Sequence, residues 1–434
     1  MKNIKNYFIA ALFLLPACKT DKFVPSRGAA DFSKYIAIGD SQTAGYANDG
    51  LYNNGILASF PAVMAGQMKA LGGGEFNQPL FSTDQANGSG YLQLNGYTPT
   101  GSPIIIRVTT NRAIRGTVNV PPVGNITLYQ KYTGPNNNFG ITGMKLADIK
   151  NAQFGNTNGY FERLLSGNSP NNNTLYLDYV GSQKFTFFSC WIGNNDVLGF
   201  AAAGGASDSL TDKTTFSSLY TILIDRLTEG NQKGVVATIP DITNTPYFTL
   251  LTVDSISNIM KKISPSFPGL YINARNTAAL SSGYTSRLAT KDDLFLLSFD
   301  MSQIGTLVST VGGSLPYGLT PLTPIDNKFV LDKNEVALVK DYIDSYNATI
   351  RSVAASKGLA LFDVYSYLSQ IKQSIVINGV TVSGKYITGG FFSLDGAHLT
   401  PRGCALIAEG FNSAINTKYG ASLLPADISK FSGN

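Results

Sequence analysis

The chain has 434 residues, of which 43% are hydrophobic and only 14% are charged, well below the roughly 25% of an average soluble protein. This apolar fraction excludes an intrinsically disordered protein, and the net charge of +5, spread without basic blocks, gives nucleic-acid binding little support. With one histidine and three cysteines, no zinc site rich in either residue can form, and any histidine-dependent catalysis must use His398.

The first predicted element is a secretory signal peptide over residues 1–17. Two lysines precede a short apolar run that ends in Leu15-Pro16-Ala17-Cys18. This order is typical of a signal peptide, and the run is too short for a permanent transmembrane helix. Its end resembles the bacterial lipobox, which implies a lipid on Cys18, a lipidated tether at 18–32 and attachment to the bacterial cell envelope, on the outer membrane or the periplasmic face. The alternative is an apolar helix with an incidental cysteine.

The following elements alternate between strands and helices. Buried strands are predicted at 35–39, 185–191, 234–239 and 359–364, and helices at 60–71, 216–227, 336–353 and from Pro401 onwards. Strands separated by helices predict parallel pairing, and therefore a flavodoxin-like, doubly wound parallel sheet in a three-layer α/β/α domain over 33–420, with a tail at 421–434. Ligands of such sheets bind outside the carboxyl ends of the strands.

Two stretches interrupt this alternation. Residues 75–137 are rich in Gly, Asn, Pro and Tyr and are too long for an ordinary loop, which predicts a β-rich insertion with strands near 104–108 and 126–129. Residues 302–327 are also rich in Gly and Pro. Either stretch is expected to roof the active site or to decorate the edge of the sheet.

Residues suited to nucleophilic catalysis stand after the first strand and before the last helix. Gly39-Asp40-Ser41 follows the first strand, where a tight turn can expose a serine hydroxyl. Asp395 precedes His398 by three residues, so its carboxylate can bend back to Nδ1 and leave Nε2 free as a base. Each motif alone also fits a structural role, as a common turn or a hydrogen bond at a helix start. Together they predict a Ser-His-Asp triad.

Four separate blocks, in order, resemble the SGNH (GDSL-type) hydrolase family: Gly39-Asp40-Ser41, residues 138–143, Gly193-Asn194-Asn195-Asp196, and Asp395 with His398. The resemblance implies the SGNH hydrolase fold, Ser41 as nucleophile, and an oxyanion hole formed by the N–H groups of Ser41 and Gly143 and the side-chain amide of Asn195. No cofactor and no metal are expected. A departure from the family, Gln42 in place of leucine, predicts an altered pocket floor rather than lost chemistry.

Several other residues have two interpretations. Asp241 and Asn244 follow a predicted strand and either contact substrate at the rim of the cleft or cap a helix. Asp363 is predicted to be structural, and Trp191 to pack in the core rather than to stack on a sugar. The glycine runs lack the Lys-Ser/Thr of a phosphate-binding loop, so nucleotide binding is not indicated.

The cysteines that remain after Cys18 are Cys190 and Cys404. An exported protein can pair them, but each lies in an apolar element, which favours two buried free thiols.

Three functions fit the sequence. The first is an envelope hydrolase of carboxylic esters, an esterase or lipase acting on lipid or simple acyl esters. The second is an esterase that removes acetyl groups from glycans. The third is a catalytically silent lipoprotein that binds a glycan or a partner through the insertion. The intact Ser41, Asn195, Asp395 and His398 argue against the third function.

Overall fold

The computed structural model describes residues 25–434, so the predicted signal peptide and Cys18 lie outside the described residues. Strands β1 to β9 are Tyr35–Gly39, Tyr91–Tyr97, Pro103–Val108, Ile114–Val120, Gly124–Tyr129, Asn138–Gly140, Phe187–Trp191, Lys233–Ala237 and Leu251–Thr252. Strands β10 to β18 are Tyr271–Arg275, Tyr284–Leu288, Leu294–Phe295, Leu307–Thr310, Gly313–Pro316, Val330–Leu331, Ala360–Phe362, Ile375–Ile377 and Val380–Val382. Helices α1 to α7 are Ser41–Ala44, Asn53–Leu57, Phe60–Lys69, Phe154–Thr157, Gly159–Glu162, Tyr176–Gly181 and Asn195–Ala202. Helices α8 to α13 are Lys213–Thr228, Pro246–Thr249, Val253–Ile263, Lys333–Ser356, Val364–Ile371 and Pro401–Tyr419.

A parallel sheet with strand order β16-β8-β7-β1-β6 forms the centre of the described chain. The predicted doubly wound α/β architecture is therefore confirmed. Gly39 of β1 pairs with Gly140 of β6 and with Trp191 of β7, so these three strands end at the same level. The segments that follow them consequently meet at one edge of the sheet, where such folds bind ligands.

Side chains of the central strands alternate between two hydrophobic cores, one on each face of the sheet. Ile36 and Ile38 of β1 belong to the core that contains α8 and α11, whereas Tyr35 and Ala37 belong to the core that contains α3 and α13. Because successive side chains of a strand point to opposite faces, the apolar run of β1 contributes to both cores.

The two cores also account for Trp191 and the cysteines. Trp191 is buried and packs edge-on against Phe60 and Phe411, with ring centroids 5.7 and 6.3 Å apart, so its predicted packing role is confirmed. Cys190 and Cys404 are buried free thiols, as predicted. They belong to different cores, and the sheet separates them.

Antiparallel hairpins occupy both of the irregular stretches. The insertion contains β2–β3 and β4–β5, which confirms its predicted β-rich character. The stretch at 302–327 contains the hairpin β13–β14 beside a third, smaller core that includes Ile272, Phe295 and Ile325.

Both ends of the described chain pack against the core of α3 and α13. Ala30 and Phe32 from the N-terminal side are buried there, together with Leu423 and Ile428 from the C-terminal side. Among helices within 25–434, none is both long and apolar enough to cross a lipid bilayer.

Candidate active site

Ser41 lies at the carboxyl end of β1, as the first residue of the four-residue helix α1. Glycine is required two positions earlier, because a Cβ on Gly39 would meet the carbonyl oxygen of Trp191 at 2.3 Å. Asp40 caps α1 by accepting the N–H of Gln42 over 3.0 Å. The sharp turn leaves Ser41 only 5% exposed, at the wall of a cleft.

The loop before α13 carries Asp395 and His398 to this serine. His398 Nε2 lies 2.9 Å from Ser41 Oγ, and His398 Nδ1 lies 3.1 Å from Asp395 Oδ2. Asp395 Oδ1 accepts the backbone N–H groups of Ala397 and His398 over 2.9 and 2.8 Å, which holds the carboxylate within its own loop. When Nδ1 carries its proton towards Asp395, Nε2 is the acceptor for the serine proton. The structure thus brings the three predicted triad residues into one hydrogen-bonded chain.

Burial and charge act in opposite directions on this pair. Burial alone lowers the pKa of His398, but the charge and hydrogen bond of Asp395 outweigh burial and raise that pKa above 6.5. Burial raises the pKa of Asp395, but the charge of His398 and the hydrogen bonds from its ring and backbone hold that pKa below 3.8. The arrangement therefore keeps Asp395 ionised and stabilises a protonated His398.

Two further loops bring the predicted oxyanion donors to the same cleft. Gly143 follows β6 with φ of +78°, a left-handed conformation that favours glycine. Asn195 follows β7 as the first residue of α7, and its Nδ2 donates to the carbonyl of Met144 over 3.0 Å. A side-chain amide has two N–H groups, so this bond orients the amide and leaves the second N–H for another acceptor.

The cleft around Ser41 has a volume of about 250 Å³. Besides the predicted triad and oxyanion residues, its lining consists of Tyr46, Asp49, Thr142, Leu198, Ala202, Tyr247 and Ala397. Residues 75–137 and 302–327 contribute nothing to this lining, so neither stretch roofs the cleft in this structure. Gln42 is not part of this lining either, and its Nε2 donates to the carbonyl of Ala397 over 3.3 Å. Gln42 lines an adjoining cavity that shares Leu198 and Ala397 with the cleft, so its predicted effect on the pocket floor stays a prediction.

Two contacts of the site were not predicted from the sequence. Asn194 donates its side-chain N–H to Asp40 over 2.8 Å, and the ring of Tyr46 packs 4.7 Å from the ring of His398. Asp40 and Asn194 belong to the recognised sequence blocks, but their pairing spans 154 positions of the chain. The one signal in the sequence is that Asp40 and Asn194 each directly precede a predicted site residue. Nothing in the sequence indicates the contact of Tyr46.

The remaining candidate residues lie outside the cleft. Asp241 accepts the N–H of Thr243 over 3.1 Å as a cap, and together with Asn244 it lines a separate cavity of about 580 Å³. Asp363 caps α12 and binds Arg351, which confirms its structural role. Among residues 25–434, no three His, Cys, Asp or Glu side chains are grouped so as to hold a metal ion.

Comparison with known sequences identifies one family. The sequence profile described as GDSL-like lipase/acylhydrolase matches residues 35–411, a range that includes all four of the recognised blocks. Among curated proteins, none matches the chain.

Solved structures with a similar course of the chain include three hydrolases. An acetylxylan esterase from Geobacillus stearothermophilus is 12% identical, covers 89% of this chain and 96% of its own, and gives a TM-score of 0.37. A lipase/acylhydrolase from Enterococcus faecalis is 11% identical, with coverages of 91% and 99% and a TM-score of 0.33. An α/β hydrolase from the metagenome of Lake Arreo, Spain, is 13% identical, with coverages of 89% and 96% and a TM-score of 0.37. TM-scores this low carry no argument about substrate.

Proposed function

Because the chain belongs to the GDSL-like lipase/acylhydrolase family, we propose that it hydrolyses carboxylic esters through an acyl-enzyme intermediate on Ser41. Family membership confirms the resemblance that the four blocks predicted, and it supports ester hydrolysis in general. The finer assignment depends on one observation, the hydrogen-bonded chain from Ser41 Oγ through His398 to Asp395. Such a chain is the recognised arrangement for activating a serine hydroxyl.

In the proposed reaction, Ser41 Oγ attacks the ester carbonyl carbon while its proton passes to His398 Nε2. The oxyanion that forms accepts hydrogen bonds from the N–H groups of Ser41 and Gly143 and from the amide of Asn195. His398 then gives its proton to the leaving alkoxide oxygen as the C–O bond breaks. Water, deprotonated by His398, attacks the acyl-enzyme, releases the carboxylic acid and restores Ser41. Asp395 remains ionised throughout and stabilises the imidazolium.

The size of the cleft supports esters with a short acyl group. Pockets that enclose a drug-sized ligand measure about 300–1,000 Å³, and this cleft, at about 250 Å³, falls below that range. Leu198 and Ala202 supply a small apolar wall against which a short acyl chain can pack. A long acyl chain would have to extend beyond the cleft.

The second candidate is a glycan O-acetyl esterase, which has the same mechanism and a short acyl group. It is favoured by the tyrosines at 46 and 247, which line the cleft together with the polar side chains of Asp49 and Thr142. Tyrosine rings offer a flat apolar surface with a polar edge, which suits the alternating C–H and hydroxyl groups of a sugar.

A panel of p-nitrophenyl esters from acetyl to palmitoyl, assayed beside acetylated oligosaccharides, tests both candidates. We expect kcat/KM to be highest for acetyl or propionyl esters and to fall as the acyl chain lengthens, and we expect Ser41→Ala to be inactive on all of them. An optimum at palmitoyl would contradict the assignment to short acyl groups. Failure of the wild-type protein to hydrolyse any ester would favour the silent binding protein.

We also propose that the protein is held at a membrane by a lipid on Cys18. The support comes from the sequence, in which basic residues, a short apolar run and Leu15-Pro16-Ala17 precede that cysteine. The ester substrates would then be those of the cell envelope or its surroundings. Acyl chains on a single residue are able to keep a folded domain at a membrane surface.

A further inference from the structure

The turn at residues 47–50 has an unusual backbone. Asn48 and Asp49 adopt positive φ angles of +54° and +56°, one after the other. Ala47 and Gly50 close the turn with two backbone hydrogen bonds of 3.0 Å. Non-glycine residues adopt this left-handed conformation at a cost, and it persists where the surrounding contacts determine it.

This turn is bonded to three consecutive residues of the loop that carries the triad aspartate. The N–H of Asn48 donates to Ser393 Oγ over 3.0 Å, and Asn48 Oδ1 accepts the N–H of Leu394 over 2.9 Å. The N–H of Asp49 donates to Asp395 Oδ2 over 2.8 Å. That oxygen is the one that faces His398 Nδ1, so two donors converge on it and fix the rotation of the carboxylate.

The insertion holds the turn from its other side. The N–H of Leu92 in β2 donates to the carbonyl of Asn48 over 2.6 Å. Arg107 in β3, the cross-strand partner of Leu92, forms an ion pair with the carboxylate of Asp49. The approach is close, because a Cβ on Gly50 would meet the carbonyl oxygen of Gly90 at 1.9 Å.

We propose that the 47–50 turn, braced by the β2–β3 hairpin, is a positioning element that orients Asp395 towards His398, with Asn48 and Arg107 as its positioning residues. This inference rests on the proposed function, since it assigns a role within the same triad. The insertion was expected either to roof the active site or to decorate the edge of the sheet. In this proposal its hairpin instead supports the catalytic loop from outside the cleft.

The test compares kcat and KM for p-nitrophenyl acetate in Asn48→Gly, Asn48→Asp and Arg107→Ala, with Ser41→Ala as the inactive reference. Arg112→Ala is the matched control, because Arg112 is an exposed arginine of the same insertion that donates to the Thr109 carbonyl. A fluorophosphonate probe reports nucleophile activation separately: Ser41 Oγ bonds to phosphorus, fluoride leaves, and the serine proton passes to His398. Thermal unfolding shows whether each variant is still folded. Measurements at pH 8 increase the neutral fraction of His398, whose pKa the charges of Asp395 and Asp40 raise, so that a small change in that pKa alters the rate less.

Glycine at position 48 keeps the positive φ but loses the side-chain bonds to Leu394 and to the hydroxyl of Tyr52. We expect Asn48→Gly to lower kcat and the labelling rate by about tenfold, the equivalent of one or two hydrogen bonds, with KM within about twofold. Asn48→Asp keeps the shape and the acceptor oxygen, so it should retain at least about half of kcat. Arg107→Ala, which breaks an exposed ion pair, should lower kcat by about threefold, and Arg112→Ala should match the wild type.

Wild-type kcat and labelling rate in both Asn48→Gly and Arg107→Ala would overturn the inference, and so would a loss confined to KM, which would make the turn a substrate contact. If Asn48→Gly fails to fold, the comparison of Arg107→Ala with Arg112→Ala tests the inference. A lower kcat in Arg107→Ala alone supports it, and an unchanged kcat in Arg107→Ala overturns it. Activity in Ser41→Ala would instead refute the proposed function itself.

Discussion

The side-chain amide of Asn194 donates to the carboxylate of Asp40 over 2.8 Å and so joins two sequence blocks of the family. Each of the two residues directly precedes a residue of the proposed site, Asn195 in one block and Ser41 in the other. Asp40 is fully buried, and burial raises its pKa to about 6 although the bonds from Asn194 and Gln42 oppose this. The bond therefore stabilises a buried carboxylate at the base of the proposed nucleophile turn.

Asn194→Ala should destabilise the protein by about 1–3 kcal/mol, because it leaves a buried carboxylate without one of its donors. We expect kcat to fall as well, since the turn that holds Ser41 loses its tie to the segment that holds Asn195. Urea unfolding and steady-state kinetics measure the two effects. Asn173→Ala, at an exposed asparagine of the same chain, is the control and should change neither. Equal stability of the two variants would show that the Asp40 bond contributes nothing.

Asn195→Ala should lower kcat by about 10²–10³-fold with little change in KM, because the amide bonds mainly to charge that develops in the transition state. Steady-state kinetics on the best short-chain ester measures the effect. The bond from Asn195 to the Met144 carbonyl is lost in the same variant, so thermal unfolding must accompany the assay. A defect seen in KM alone would make Asn195 a residue for ground-state binding.

The pH dependence of catalysis should follow His398. The base must be neutral to accept the Ser41 proton, so kcat/KM should rise with pH through one ionisation whose midpoint lies above 6.5, because Asp395 raises the pKa of the imidazole. Asp395→Asn removes that charge and should move the midpoint to lower pH while lowering kcat. A pH–rate profile of each protein measures this. If Asp395→Asn leaves the midpoint unchanged, Asp395 does not raise the pKa of His398.

Ser41→Ala and His398→Ala should each lower kcat by about 10³-fold or more, and the double variant should be little worse, because the two residues act as one unit. Since the chain contains a single histidine, one equivalent of a histidine-directed reagent should be enough for complete inactivation. A kcat near that of the wild type in His398→Ala would contradict the proposed triad.

The stability of the fold should decrease as the pH rises from 5 to 8. Burial raises the pKa of Asp40 and of Asp196 to about 6 and that of Glu335 to about 7. Between an ordinary carboxyl pKa and these raised values the folded state binds more protons than the unfolded state, so the free energy of unfolding falls with increasing pH, by about 2–5 kcal/mol in total. Urea titrations at several pH values measure the slope. Glu335→Gln should reduce the slope of the unfolding free energy against pH near pH 7. A slope that this variant leaves unchanged would show that Glu335 does not contribute to it.

Cys18→Ala should yield uncleaved precursor or protein released from the membrane, because the acylated side chain is the proposed anchor. Membrane fractionation and labelling with a fatty-acid probe measure the outcome. If the variant stays in the membrane fraction, and neither protein takes up the label, Cys18 is not the anchor.

Local patterns in the sequence were sufficient for the architecture and for the proposed triad residues, whereas Gly143 and Asn195 were assigned from the resemblance to the family. Apolar runs such as that of β1 predicted buried strands, and helices between them predicted parallel pairing, because a parallel crossover needs a long connection. The lone histidine, three residues after Asp395, limited the choice of a base to one residue. Each of these inferences depends on residues close together in the chain.

Contacts between distant segments were decided only by the tertiary structure. The pairing of Asp40 with Asn194, the packing of Tyr46 on His398 and the bond from Asp49 to Asp395 each join positions that no local pattern relates. The contact of Gln42 is of the same kind, since its side chain reaches a carbonyl 355 residues away. Hydrophobic periodicity specifies which face of an element is buried, but the register of strands and the close approach of loops determine which polar groups meet, and these depend on the packing of the whole domain.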